Sequence, residues 1–249
     1  FANMVNKNVI CIIGSYDPIS RSFFEEIKKK YKTSLFINVT GDKSSKKDIY
    51  NFKIFQLKKI LNTLNLNNVS ELIFLGKIAR PNLLEFRNDG IVEKYIPILL
   101  NAYKKGDGAV LDAVIRIFKE HNFTTVSPVK YSNSFILNDN EINSNYNDED
   151  MHDIKKSSKL LDVLSKFDNA QSVVSINGYI IAIEAAEGTD ALLQRVWKIR
   201  KDLNQLESKS GFLTKKPKIN QSKLIDLPVI GPKTIKLIKK ANLKGLAID

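Results

Sequence analysis

Between Ile183 and Arg195 the chain reads I-E-A-A-E-G-T-D-A-L-L-Q-R, which puts three carboxylates, Glu184, Glu187 and Asp190, within seven residues. Acids this close repel one another unless a cation lies between them. Three oxygen donors at one strand end suit a magnesium ion, the hard metal that accompanies phosphate chemistry. The competing reading is an acidic strand end that is simply solvated, with Glu184 paired to Arg195 or a nearby lysine.

The elements that must hold these acids follow from periodicity. Tyr179 to Ile183 is uncharged and rich in β-branched residues, as in a strand buried on at least one face. Leu192, Leu193, Val196 and Ile199 recur at helical spacing, so residues 191–203 read as an amphipathic helix with polar Gln194, Arg195 and Lys198 between them. Glu187-Gly188-Thr189-Asp190 is then a strand-to-helix turn: Thr189 is expected as N-cap, Asp190 falls where the helix dipole favours negative charge, and Gly188 permits tight backbone.

Upstream, Val9 to Gly14 is an apolar run ending in glycine and is followed by a basic amphipathic helix over 20–30, a β–α start. The loop Gly14-Ser15-Tyr16-Asp17-Pro18 has one glycine where a dinucleotide fingerprint needs three, so no dinucleotide cofactor is expected. Further strands are expected at 35–39 and 71–75, with a helix at the end of 54–64; the alternation indicates a parallel sheet. Lys77 and Arg80 follow the last of these strands at its carboxyl end, where open α/β sheets bind ligands, and are candidate phosphate contacts. Residues 103–108 form a polar turn before a helix over 109–120, and 123–126 adds a strand.

Residues 132–150 are polar and rich in Asn and Asp, and divide the chain near residue 132 into domains of 1–132 and 133–249. Beyond lie a helix over 153–167 with Phe167 on its apolar side, a strand over 171–176, and Asn177-Gly178, a strong two-residue hairpin signal before the 179–183 strand. Leu227-Pro228-Val229-Ile230-Gly231-Pro232-Lys233-Thr234, followed by a basic helix, has the look of half a helix-hairpin-helix, a binder of the DNA backbone. Against that reading, Val229 stands where the turn wants glycine.

Composition bounds the alternatives. The 249 residues are 43% hydrophobic, and no stretch approaches a membrane span of roughly 20 apolar residues. The first residues have no export-signal pattern, so a cytoplasmic address is expected. Cys11 is the one cysteine, which excludes an internal disulfide and a cysteine zinc cluster. The net charge of +12 is mostly lysine spread along the whole chain, which favours attraction to anionic headgroups over a localised nucleic-acid track.

Taken together, residues 76–82, 105–110, 183–195 and 215–234 resemble the LpxI family of UDP-2,3-diacylglucosamine pyrophosphatases of lipid A biosynthesis, in order and spacing over nearly the whole chain. The resemblance implies an α/β protein of two α/β domains, the first Rossmann-like with a mostly parallel sheet, and substrate between them. It implies magnesium-dependent hydrolysis of UDP-2,3-diacylglucosamine to UMP and 2,3-diacylglucosamine 1-phosphate, at the inner-membrane surface, without specific nucleic acid, and with room for a homodimer.

The same resemblance carries the essential carboxylate of Asp-Leu-Pro onto Asp226, with Glu187 and Asp190 as catalytic and metal-holding partners and Glu184 as a further metal ligand. Gly14, Lys77, Arg80, Lys105, Asp107, Gly188, Thr189, Arg195 and Lys215 are the expected substrate contacts. Three positions depart from the family pattern: the first loop is not glycine-rich, Gly108 replaces an Asp, and Leu224 replaces an Arg. Relatives continue past the segment matching Gly245 to Asp249, so the second domain is expected to be truncated at its end. The alternatives are a nonspecific DNA binder of helix-hairpin-helix type and a substrate-binding homologue without activity.

Overall fold

The computed structural model describes residues 9–40, 46–76, 90–132, 146–167, 169–218 and 230–248. The chain divides into two compact units, Phe1–Leu137 and Asn138–Asp249. Lys77, Arg80 and Asp226 lie outside the described residues.

In the first unit, strands β1 (Val9–Gly14), β2 (Leu35–Asn38), β3 (Ile49–Asn51), β4 (Val69–Leu75) and β5 (Thr124–Thr125) form one sheet in the order β3-β2-β1-β4-β5. Every pairing is parallel, as the alternation predicts. Strand β1 is buried along nearly its full length, which is why it reads as a continuous apolar run. Its Ile10 and Ile12 meet Phe23, Phe24 and Ile27 of helix α1 (Pro18–Lys30) in one core cluster with Phe36 and Ile73. The neighbour order reverses at β1, between β2 and β4, which makes this the switch point of a doubly wound sheet.

The start of α1 explains the missing glycines. Asp17 is its N-cap, and Oδ1 accepts from the amides of Ile19 at 3.0 Å and Ser20 at 2.9 Å. A carboxylate thus occupies the position where a dinucleotide fold would receive pyrophosphate. Gly14 is required for a different reason: a Cβ there would come within 1.7 Å of the Leu75 carbonyl oxygen on β4.

Helix α2 (Leu57–Leu66) buries Leu57, Ile60, Leu61 and Leu64. Strand β3 and helix α3 (Val92–Tyr103) have no counterpart in the sequence reading. Strand β3 is three residues long, and helix α3 carries Pro97 inside it, which masks its periodicity. Helix α3 lies against helix α4 (Asp107–Glu120), where Tyr95 Oη donates to Glu120 Oε2 at 2.9 Å. Helix α4 begins at Asp107, two residues before the expected start, because Gly106 supplies a φ of 118° at the cap. Lys105 stands exposed in the preceding turn. The strand expected over 123–126 narrows to the two residues of β5.

The second unit holds a mixed sheet in the order β7-β6-β8-β9, built from β6 (Ser172–Ile176), β7 (Tyr179–Ile183), β8 (Phe212–Lys215) and β9 (Gly245–Ile248). Strand β6 pairs antiparallel with β7 and β8, and β8 pairs parallel with β9. The β6–β7 hairpin turns at Asn177 and Gly178, whose φ of 49° and 81° match the two left-handed positions of a type I′ turn.

Helix α5 (Asp148–Ser165) starts earlier than expected, because Asn147 and Asp150 form a capping box. It also ends earlier: Phe167 lies beyond its last turn, 76% exposed, and not on an apolar helical face. Val173 turns toward Leu161 of α5, whereas Val174 and Ile176 join Leu192, Leu193, Val196 and Ile238 of helices α6 (Thr189–Asp202) and α7 (Pro232–Lys240). Period-2 alternation therefore assigns α5 to one face and α6 with α7 to the other.

Helix α7 follows β8 and is followed by β9, so it is the crossover of a parallel β–α–β unit, with Ile238 in the core. That placement accounts for Gly231-Pro232 as a helix start within the sheet domain. At the far end of both helices, Arg200 is 1% exposed and surrounded by main-chain acceptors. It donates to the carbonyls of Gln205 at 2.6 Å, Ser208 at 2.7 Å, Asn242 at 2.8 Å and Ala241 at 2.9 Å. Burial lowers its pKa, and these carbonyls take the place of a carboxylate partner.

Candidate active site

Both helices on this face begin at glycine. Gly188, with φ 81°, is the N-cap of α6 and Gly231 is the N-cap of α7, and neither helix has a side-chain cap bond. The first intrahelical bonds run from Leu192 to Gly188 and from Ile235 to Gly231. The amides before them, Thr189 to Ala191 on α6 and Lys233 and Thr234 on α7, have no partner in their own helices and, among the described residues, are the open donors of two helix starts. Asp190 Oδ1 accepts from Thr234 Oγ1 at 2.7 Å and Oδ2 pairs with Lys233 at 3.2 Å, so the two starts are adjacent. Two such termini beside Lys233 concentrate positive potential where an anion would dock.

Thr189 corrects a sequence expectation. It is the first helical residue, not the N-cap, and its hydroxyl is engaged elsewhere. Oγ1 donates to Glu184 Oε1 at 3.2 Å, accepts from Lys215 Nζ at 2.9 Å, and lies 3.2 Å from Ser172 Oγ. One donation and two acceptances saturate a hydroxyl. Lys215 ends β8 and Ser172 opens β6, opposite each other in the antiparallel register, and both are buried. Ser172 went unread in the sequence, although alternation from Val174 and Ile176 puts it on the α6 face.

The carboxylates take different partners. Arg195 Nη2 pairs with Glu187 Oε1 at 2.7 Å and donates to the Ile183 carbonyl at 2.8 Å, so the expected Arg195 partnership belongs to Glu187 and not to Glu184. Glu187's own backbone amide, then Arg195 and the Ala185 amide, hold its carboxyl below the usual carboxylate range. Glu184 keeps one oxygen, Oε2, buried and, among the described residues, without a hydrogen-bond partner. A buried carboxylate oxygen lacking a donor is the group a hard cation satisfies. Among the described residues no three His, Cys, Asp or Glu side chains converge as a metal cluster.

Of the expected site residues, Glu184, Glu187, Gly188, Thr189, Asp190, Arg195 and Lys215 thus collect where β7 and β8 end and β6 and α6 begin. Thr234 and Lys233 join them from α7. Gly14, Lys105 and Asp107 belong to the first unit, at the end of β1 and the start of α4. Lys77, Arg80 and Asp226 fall outside the described residues.

Two family models match the chain, the LpxI N-terminal domain over residues 18–135 and the LpxI C-terminal domain over residues 140–249. A relative from Caulobacter vibrioides, UDP-2,3-diacylglucosamine pyrophosphatase LpxI, is 30% identical over 195 residues, covering 78% of this chain and 70% of the relative. The chain belongs to the LpxI family.

Proposed function

We propose that the protein hydrolyses the pyrophosphate of UDP-2,3-diacylglucosamine, releasing UMP and 2,3-diacylglucosamine 1-phosphate for lipid A synthesis, in the presence of magnesium. The observation that carries this reading is the pair of uncapped helix starts joined through Asp190 and Thr234, in a chain of the same family as a pyrophosphatase of that substrate.

Hydrolysis of a phosphoric anhydride asks for positioning and charge stabilisation more than covalent chemistry. The amides of Thr189 to Ala191 and of Lys233 and Thr234 receive phosphoryl oxygens, with Lys215 and Lys233 supplying fixed positive charge. Water adds to one phosphorus, and the bridging P–O bond breaks with its electron pair leaving on the departing phosphate. Asp226 takes the proton of the attacking water. Glu184, through Oε2, would hold magnesium together with Asp190; when bound, the ion neutralises charge on the phosphoryl oxygens. Glu187 holds the turn from its pair with Arg195, which keeps Gly188 and the α6 start in place.

The test is UMP release from UDP-2,3-diacylglucosamine in EDTA and after magnesium is restored. The expected result is release that stops in EDTA and returns with the metal. No UMP under either condition sinks the hydrolase reading in favour of a substrate-binding homologue.

A further inference from the structure

Helices α6 and α7 show their outer sides to solvent, and those sides are cationic. Arg195, Lys198 and Lys201 are exposed on α6, and Lys233, Lys236, Lys239 and Lys240 on α7. Against them stand Glu187, paired with Arg195, Asp190, paired with Lys233, and exposed Asp202 at the end of α6. The remaining cations flank an aromatic floor. Lys240 Nζ stands 3.9 Å from the Trp197 ring centroid and Lys201 Nζ 5.4 Å from it. A shallow groove there is lined by Ala191, Gln194, Trp197 and Lys198 with the stems of Arg195 and Lys240. Ile235, 38% exposed, adds apolar surface on α7.

We propose that this α6–α7 face docks the protein on an anionic lipid bilayer, with the candidate active site at one end of the docked face. The chemistry favours a bilayer over a nucleic acid. Lysine ammoniums are hydrated point charges suited to a diffuse headgroup layer, and the one exposed arginine of the face is already tied to Glu187. An indole between lysine stems matches the headgroup boundary, where aromatic rings sit and long cationic side chains snorkel. Asp190 and Lys233 begin the same helix pair that carries the cations, so docking places the helix starts beside the surface from which a lipid-linked substrate is drawn. The proposal rests on the lipid substrate of the reading above, and its test separates the two.

The test is co-sedimentation with vesicles of phosphatidylcholine containing about one-third phosphatidylglycerol, beside pure phosphatidylcholine, at low and physiological salt. Two charge-matched variants are compared: K198E/K201E/K236E on the face, and K29E/K32E/K59E at exposed lysines of the first unit. Each lost cation should weaken anionic-vesicle binding about fivefold, so the face variant falls at least about a hundredfold. The first-unit variant should stay within a few-fold of the parent protein. Hydrolysis of detergent-dispersed substrate should be the same in all three proteins. Equal loss in both variants, no binding by the parent protein, or displacement from vesicles by duplex DNA at physiological salt would overturn the docking face. Face-specific vesicle binding without hydrolysis supports docking and counts only against the enzymatic reading.

Discussion

Thr234 Oγ1 donates to Asp190 Oδ1 at 2.7 Å across 44 residues of sequence, and this bond joins the starts of two helices that flank the candidate site. A hydrogen bond to an ionised group contributes more than a neutral one, on the order of 1.5–3 kcal/mol. Thr234→Val should lower stability by about that amount and reduce UMP release by roughly tenfold or more. Thr234→Ser should restore both. Urea unfolding and initial rates measured on the same preparations check it; a Ser variant as impaired as Val would place the effect in packing.

Asp226→Ala should abolish UMP release while leaving substrate binding intact. Removing an anionic group does not weaken capture of an anionic ligand, but it removes the proton acceptor assigned to the reaction. Calorimetric titration with substrate beside single-turnover kinetics reads both quantities. Turnover at the parent rate would reassign Asp226 to structure.

Arg200→Lys should destabilise the second unit by on the order of 3 kcal/mol, because an ammonium cannot reach the carbonyls of Gln205, Ser208, Ala241 and Asn242 together, and buried carbonyls then lose their donors. Thermal unfolding followed by Trp197 fluorescence reports this unit through its one tryptophan.

The depressed pKa of Glu187 gives a pH signature. A carboxyl whose folded pKa lies below its unfolded value of about 4.3 adds stability that is fully present above that value and is lost as pH falls through the folded pKa. Glu187→Gln should therefore be less stable than the parent protein at neutral pH, with the difference vanishing at strongly acid pH. Urea midpoints across that range decide it; a difference independent of pH would rule out the ionised pair with Arg195 as its cause.

Local chemistry was legible in the sequence. Asn177-Gly178 announced its turn because both positive φ values are requirements of two adjacent residues. The α6 helix was legible from spacing alone. The engagement of Thr189 was not, because its partners Ser172 and Lys215 arrive from 17 and 26 residues away and meet it only once β6 and β8 are in register. Arg195 or a nearby lysine was the alternative partner for a strand-end Glu184, yet Arg195 reaches Glu187 in the turn that leads into α6. Helix α3 escaped notice because Pro97 argues against a helix that packing against α4 sustains.

The clamps at Asp190–Thr234 and at Arg200, which reaches Ala241 beyond the end of α7, fix α6 and α7 side by side and running the same way. Parallel neighbours set their dipoles in lateral opposition, each placing about half a positive charge at the same end. The Asp190 carboxylate, in the first turn of α6 and bonded to Thr234 of α7, offsets part of that repulsion and leaves the rest for a ligand. An anion seated between the two starts interacts with both helices at once and converts their mutual repulsion into a shared attraction. Ligand capture should accordingly tighten the whole second unit, and inorganic phosphate or UMP should raise its thermal midpoint even when no reaction follows.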